Sequence, residues 1–307
     1  MSLDDKFLRY ERLRHGMDHD RYDWAMLEQR PALNWPDDKA LALWINVSVE
    51  HFPLNPQSPG FKAPGNMTMP YPDLRHYSLR DYGNRVGIFR ILEALERFEL
   101  TASFAINGEI AGRYPYLTKR LAERGELVAH GWNMDCVHAS GVDESSERQW
   151  INDTLAALSK FSTNPIRSWL GPARSQSDRT PELLAAAGIE WCADWVNDEL
   201  PNRFQTDNGP LTNLPLSLEL EDRFIIGDNL HSETEYGDQL IDAADFLLAE
   251  AQSLGQGRLL AMNLHPWVIG QPHRIGQLER VFAHLTDRRS DICNLGPSGL
   301  LAAVESV

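Results

Sequence analysis

Cysteine is scarce: the 307 residues hold three, Cys136, Cys192 and Cys293, widely spaced and without a C-x-x-C pair. An odd, scattered set excludes a disulfide framework and fits a reducing compartment. Positive charge is also short, with 29 Lys+Arg against 44 Asp+Glu and a formal net charge of −15. A surface of that sign repels phosphate backbones and anionic lipids, so neither nucleic acid nor a membrane is an expected partner. No apolar run approaches the roughly 18 residues of a membrane span. The opening MSLDDKFLRYERLRHGMDHD mixes charges throughout and lacks the apolar centre of a signal peptide. A cytoplasmic protein is expected. Internal repeats and low-complexity tracts are missing too. What is present is ordinary: 42% hydrophobic and 24% charged residues exclude a disordered chain. A core of this size needs no disulfide or metal staple.

Residues 1–38 carry aromatics and prolines without a sustained period and read as an N-terminal extension. Residues 39–307 read as a single domain. KALALWINVSV (39–49) is a short β-branched run, suited to a buried strand, that ends at Glu50-His51. The proline-rich stretch 53–77 follows, and a loop of that length is expected to act as a lid over whatever lies at the strand end. From residue 83 the pattern becomes regular. Ile88, Ile91, Leu92 and Leu95 form a helical stripe. Strands are expected at 101–107, 126–130, 166–170, 189–195, 211–220, 223–227, 258–265 and 292–296. Helices are expected at 115–125, 145–161, 179–188, 238–255 and 275–285. Such alternation, repeated about seven times with short connections, predicts an α/β fold around a parallel sheet, doubly wound or closed as a barrel.

In such folds reactive groups sit at the carboxyl ends of strands. The polar residues at those ends are Glu50, His51, His130, Arg174, Asp194, Asp198 and His265. Any one of them is most simply a rim residue satisfied by backbone hydrogen bonds. Their joint placement on one rim favours a site. Glu50, ending a buried strand, suits a general base that deprotonates water, or else a buried partner for an Arg or His. Trp132 and Trp195 offer flat walls for a small ring, or plain core packing. Arg85 either binds a substrate carbonyl or carboxylate or pairs with a neighbouring acid. Cys136 and His138, two apart, do not share a helical face, so a thiol nucleophile is rejected.

Six segments carry a resemblance: INVSVEHF (45–52), YSLRDYGNRVGIFRILEAL (77–95), ELVAHGWNMD (126–135), SWLGPARSQSDRTPELLAAAGIEW (168–191), CADWVNDELP (192–201) and LHPWVIGQPHRI (264–275). The chain resembles the polysaccharide deacetylase superfamily, and within it the branch of metal-independent allantoinases and cyclic-imide hydrolases, over roughly residues 40–300. The resemblance implies an irregular seven-unit (β/α) barrel and hydrolysis of a carbon–nitrogen bond other than a peptide bond. It assigns His265 as the general acid that protonates the leaving nitrogen.

The chain departs from the metal-dependent members. Their Asp-Asp pair after the first strand reads Glu50-His51 here. The second of two histidines four apart, after His130, is Met134. The Arg-x-Pro motif reads Leu170-Gly171-Pro172. The three-ligand zinc centre is therefore not written in this sequence. His51 and His130 are left to donate hydrogen bonds to a developing oxyanion, or alternatively to hold a divalent metal such as zinc. No cofactor is the first expectation. Trp132, Asp194, Trp195 and Asp198 are expected to line the pocket of Glu50, His51, His130 and His265, with Arg85 binding substrate. The expected activity is on an allantoin-, imide- or N-acetyl-type small amide. The alternatives are a metal-dependent polysaccharide or amino-sugar deacetylase, or a non-catalytic binding protein on the same barrel. The aromatics of the extension predict a homo-oligomer contact.

Overall fold

A parallel sheet curls around β1 (Leu41–Val49), the longest strand and buried along its whole length. The computed structural model describes residues 19, 21–22, 24–56 and 72–305. Most of the proline-rich segment thus lies outside the described residues, and with it the expected lid. The strands β2 (Ser103–Ile106), β3 (Leu127–Ala129), β4 (Ser168–Trp169), β5 (Trp191–Cys192), β6 (Asn202–Phe204), β7 (Leu211–Asn213) and β8 (Arg258–Leu264) take the order β6-β7-β5-β4-β3-β2-β1-β8. All pairs are parallel except β6 with β7, and β9 (Ile292–Asn294) pairs with the start of β1. Among the described residues β8 and β6 do not pair with each other, so the curl stays open as a half-barrel. That is the irregular (β/α) barrel expected.

Strand periodicity sorts the core into two compartments. Successive side chains of a strand point to opposite faces. Odd positions of β1 (Leu43, Ile45, Val47, Val49) pack in the outer core with Ile88, Ile91 and the other helix residues. Even positions Ala42 and Trp44 join Ala105, Val128, Leu170, Trp191, Leu259 and Ala261 in the inner core. Further along the same face stand Asn46 and Ser48. Both reach Asn263 Oδ1, at 2.8 and 2.9 Å, while Ser103 Oγ donates to Asn46 Oδ1 at 2.8 Å. The barrel interior thus grades from apolar at the strand starts to hydrogen-bonded polar in the middle. Glu50 is the next even position.

The helices are α1 (Leu74–Tyr82), α2 (Ile88–Arg97), α3 (Gly108–Arg113), α4 (Pro115–Ala122), α5 (Glu144–Leu158), α6 (Thr180–Ala186), α7 (Glu233–Leu254), α8 (Ile275–Thr286) and α9 (Pro297–Glu305). Their ends carry recognisable chemistry. Asp143 accepts from Ser146 N to start α5, and Ser232 and Glu235 form a reciprocal capping box on α7. Two stretches are π-helical, Gly83–Gly87 and Arg223–Asp228. The second corrects the strand expected at 223–227. RFIIG is short and apolar, and such a run fits a buried helical turn as well as a strand. α1, α3, α9 and β6 were not foreseen.

The described part of the extension lies on the barrel itself. Leu33 and Trp35 are buried in the inner core at the strand starts, and Trp35 Nε1 donates to Arg258 O at 2.8 Å. This tryptophan needs no partner subunit. Trp24 is 55% exposed. No helix of the described residues is long and apolar enough to cross a membrane.

Candidate active site

Glu50, His130 and His265 converge because all three lie on the inward face of their strands, each an even number of residues beyond inner-core positions Trp44, Val128 and Leu259. Glu50 is 5% exposed. Its Oε1 stands 3.7 Å from His130 Nε2 and 3.8 Å from His265 Nε2, while Oε2 accepts from Trp267 Nε1 at 3.2 Å. Burial pushes the Glu50 carboxyl up. The His265 charge, with the hydrogen bond and charge of His130 and the charge of Arg223, outweighs burial and holds it at about 2. Glu50 is therefore ionised at neutral pH.

His265 is braced from behind. Asp222 accepts from His265 Nδ1 at 2.6 Å and from its backbone N at 2.8 Å. Burial pushes the imidazole down, but Asp222, Glu50 and Glu221 together raise its pKa above the ordinary value. These carboxylates favour the protonated ring, and its Nε2 stands 3.8 Å from Glu50 Oε1. His130 Nδ1 donates to Leu170 O at 2.7 Å, which turns Nε2 inward to stand 3.7 Å from Glu50 Oε1. The backbone carbonyl of His130 accepts from Asn107 Nδ2, and Asn107 Oδ1 accepts from His51 N at 2.7 Å.

The quoted motifs are largely packing devices around this centre. A Cβ on Gly87 would lie 2.0 Å from Pro266 O. The π turn and the His265-Pro266-Trp267 turn can therefore touch only without a side chain there. The same π turn brings Asn84 Nδ2 to Glu50 O at 2.9 Å. π segments recur at functional sites because the extra residue re-aims side chains. Gly131, at φ 62°, lies against the ring of Pro172. Beyond that proline, Ala173 and Arg174 adopt φ 53° and 54°, left-handed values costly for residues with a Cβ.

Other expected site residues fall elsewhere. His51, one residue past Glu50, points to the opposite face, and its Nε2 lies 3.3 Å from Glu109 Oε1. It does not share a pocket with His130, which corrects the expected pair. Trp132 packs over Gly108 and Thr154 beside α3 and α5. Arg85 is exposed on the π turn and pairs with Asp81 at 2.6 Å. Asp198 is exposed and pairs with Arg30 at 2.6 Å. Asp194 is buried, accepting from Gly171 N at 2.5 Å and Gln176 Nε2 at 2.6 Å, so it fixes the 171–176 turn. With Trp195 it lines a separate cavity of about 830 Å³. Cys136 stays a bystander: burial, then Asp135 and Glu109, pushes its thiol up to about 11.

The cavity against Glu50 is small, about 30 Å³, bounded by Ser48, His130, Arg174, Glu221, Arg223 and Asn263 among others. That is room for one or two waters. Glu221, Asp222, Arg223 and Trp267 were not foreseen as site residues. The family's zinc centre does not fit: His51 faces away, and Met134 stands where the second histidine would be. Among the described residues no group of three or more His, Cys, Asp or Glu is placed to hold a metal.

Residues 76–192 match the family model described as polysaccharide deacetylase. A Schizosaccharomyces pombe protein assigned to the polysaccharide deacetylases is 23% identical over 284 residues, covering 83% of this chain and 87% of that protein. The crystal structure of PuuE allantoinase has a TM-score of 0.80 at 22% identity, over 91% of this chain and 94% of that one. A Pseudomonas aeruginosa PAO1 structure assigned to the polysaccharide deacetylases has the same TM-score and identity, over 91% and 95%. At that identity the structures establish a shared fold. The match over residues 76–192 and the shared fold bear out the resemblance read from the sequence.

Proposed function

We propose that the chain is a hydrolase of carbon–nitrogen bonds other than peptide bonds, in linear or cyclic amides, working by general acid/base attack of water. One observation carries the reading. A buried ionised carboxylate, Glu50, borders the small polar cavity and stands 3.8 Å from the buried imidazole of His265, whose proton Asp222, Glu50 and Glu221 favour. A site that only binds needs no such pre-charged pair.

In this reading Glu50 Oε1, the oxygen not occupied by Trp267, takes a proton from a water in the cavity as the water attacks the carbonyl carbon. His265 gives its Nε2 proton to the leaving nitrogen, and Asp222 holds the ring in line throughout. His130 Nε2, fixed inward, positions the water or the carbonyl oxygen. No step is routed through a metal, because the donor set does not fit the zinc centre. The likeness to an allantoinase and to structures assigned to deacetylases supports the reaction class. General-base assistance is worth about 10²–10⁴-fold. Glu50→Gln should lower kcat by that much on a substrate found by screening allantoin, cyclic imides and N-acetyl sugars. His265→Ala should do the same, and the double variant should lose far less than the product of the two. Unchanged turnover in Glu50→Gln would defeat the proposal and favour a binding protein.

A further inference from the structure

We infer that Arg174 is the core of an anion-binding corner beside Glu50, with Arg223 its second member, and that the substrate is a small amide carrying a carboxylate a few atoms from the scissile carbonyl. This rests on the hydrolase reading for the choice of reacting carbonyl. Both guanidinium groups border the cavity that holds Glu50 and His130. They share one carboxylate: Arg174 Nη2 is 2.9 Å from Glu221 Oε2, and Arg223 Nε is 3.6 Å from Glu221 Oε1. Glu221 Oε2 also accepts from Asn263 Nδ2 at 3.2 Å. One carboxylate shared by two guanidinium groups leaves that trio with one positive charge in excess, facing the same cavity as ionised Glu50. Arg174 retains an unspent donor as well, since its Nε is buried and makes no hydrogen bond. A buried N–H without an acceptor is costly, and an arriving anion would satisfy it.

The backbone points the same way. Consecutive left-handed conformations at Ala173 and Arg174, neither of them glycine, carry the guanidinium to the boundary between the Glu50 cavity and the larger one lined by Gln176, Asp194 and Trp195. Strain of this kind persists where the surroundings over-determine it, and it clusters at ligand-binding positions. A neutral N-acetyl group offers this corner a carbonyl acceptor but no counter-charge.

Succinamate and succinamide test the inference, because they differ only by a carboxylate in place of a carboxamide. Binding is measured by calorimetry on the Glu50→Gln protein, in which chemistry is suppressed. Succinamate should bind tighter by about 10–100-fold, the range of a charge-assisted hydrogen bond. Arg174→Gln in the same background should abolish the preference. If that variant fails to fold, Arg223→Gln is read instead and should cut the preference at least about tenfold. Equal binding of the two ligands, or a preference that survives the arginine substitutions, overturns the inference. The hydrolase reading is judged separately by wild-type turnover. Hydrolysis of neutral amides without any preference for succinamate leaves that reading standing and removes this one. Arginine-dependent binding of succinamate by a protein that hydrolyses no amide does the reverse.

Discussion

Glu50 and His265 hold opposite charge at rest, and the signs fix how activity must follow pH. Glu50 must be ionised, which holds above about 2, and His265 must be protonated, which holds below its raised pKa. Activity should therefore fall on the alkaline side, as pH passes the raised pKa of His265. Asp222→Asn removes the leading charge that raises the His265 pKa, so the alkaline fall of kcat/KM should begin at lower pH than in the wild type. A pH–rate profile checks this, and an unmoved limb would show that Asp222 does not control His265. Stability follows the same signs. The His265 contribution is fully present below the unfolded value of 6.5 and is lost as pH rises through the folded pKa. The Glu50 contribution is present above 4.5 and is lost as pH falls toward 2. At this scale the sequence was half legible. Asn46, Ser48 and Glu50 form a polar row at period two inside an apolar strand, and Asn263 and His265 repeat it. The same parity excludes His51, which sits one residue out of step. Asp222 left no comparable signal, because it comes from an irregular approach after β7 and meets His265 across 43 residues.

Elements meet here where glycine lets them. The π turn Gly83–Gly87 and the turn after β8 touch through Gly87 and Gly270, each with Pro266 O inside the space a Cβ would take. Gly87→Ala must push those backbones apart, at a cost of about 1–3 kcal/mol. Because Trp267 and His265 ride on the displaced turn, turnover should fall as well. Chemical denaturation and kcat measured together check this; a stable, fully active variant would contradict the contact. β1, β8 and the amphipathic helices α2 and α8 were readable because their apolar residues keep one period over many positions. The π turn at Arg223–Asp228 was not, since five or six apolar-rich residues satisfy both strand and helix. α3 is a six-residue helix, too short for periodicity to register.

Across the whole molecule the inner core runs from a sealed end to a charged one. Trp35 and Leu33 close the strand starts, Trp44, Asn46 and Ser48 fill the middle, and Glu50 stands at the strand ends. Trp35→Ala should cost about 3–5 kcal/mol through lost packing, while the folded fraction keeps its kcat, because Trp35 lies at the far end from Glu50. Thermal melts beside active-site titration separate these effects; a fall in kcat per folded molecule would show that the two ends are coupled. Parallel topology follows from the strand–helix alternation, which fits a doubly wound sheet as well as a barrel. The use of the extension as a plug does not, because LNWP has no period to read and its meaning comes only from what it covers. Among the described residues the base is stoppered, so the Glu50 end is the side offered to traffic. If an acid or amine leaves by the way its parent enters, product inhibition is competitive with substrate.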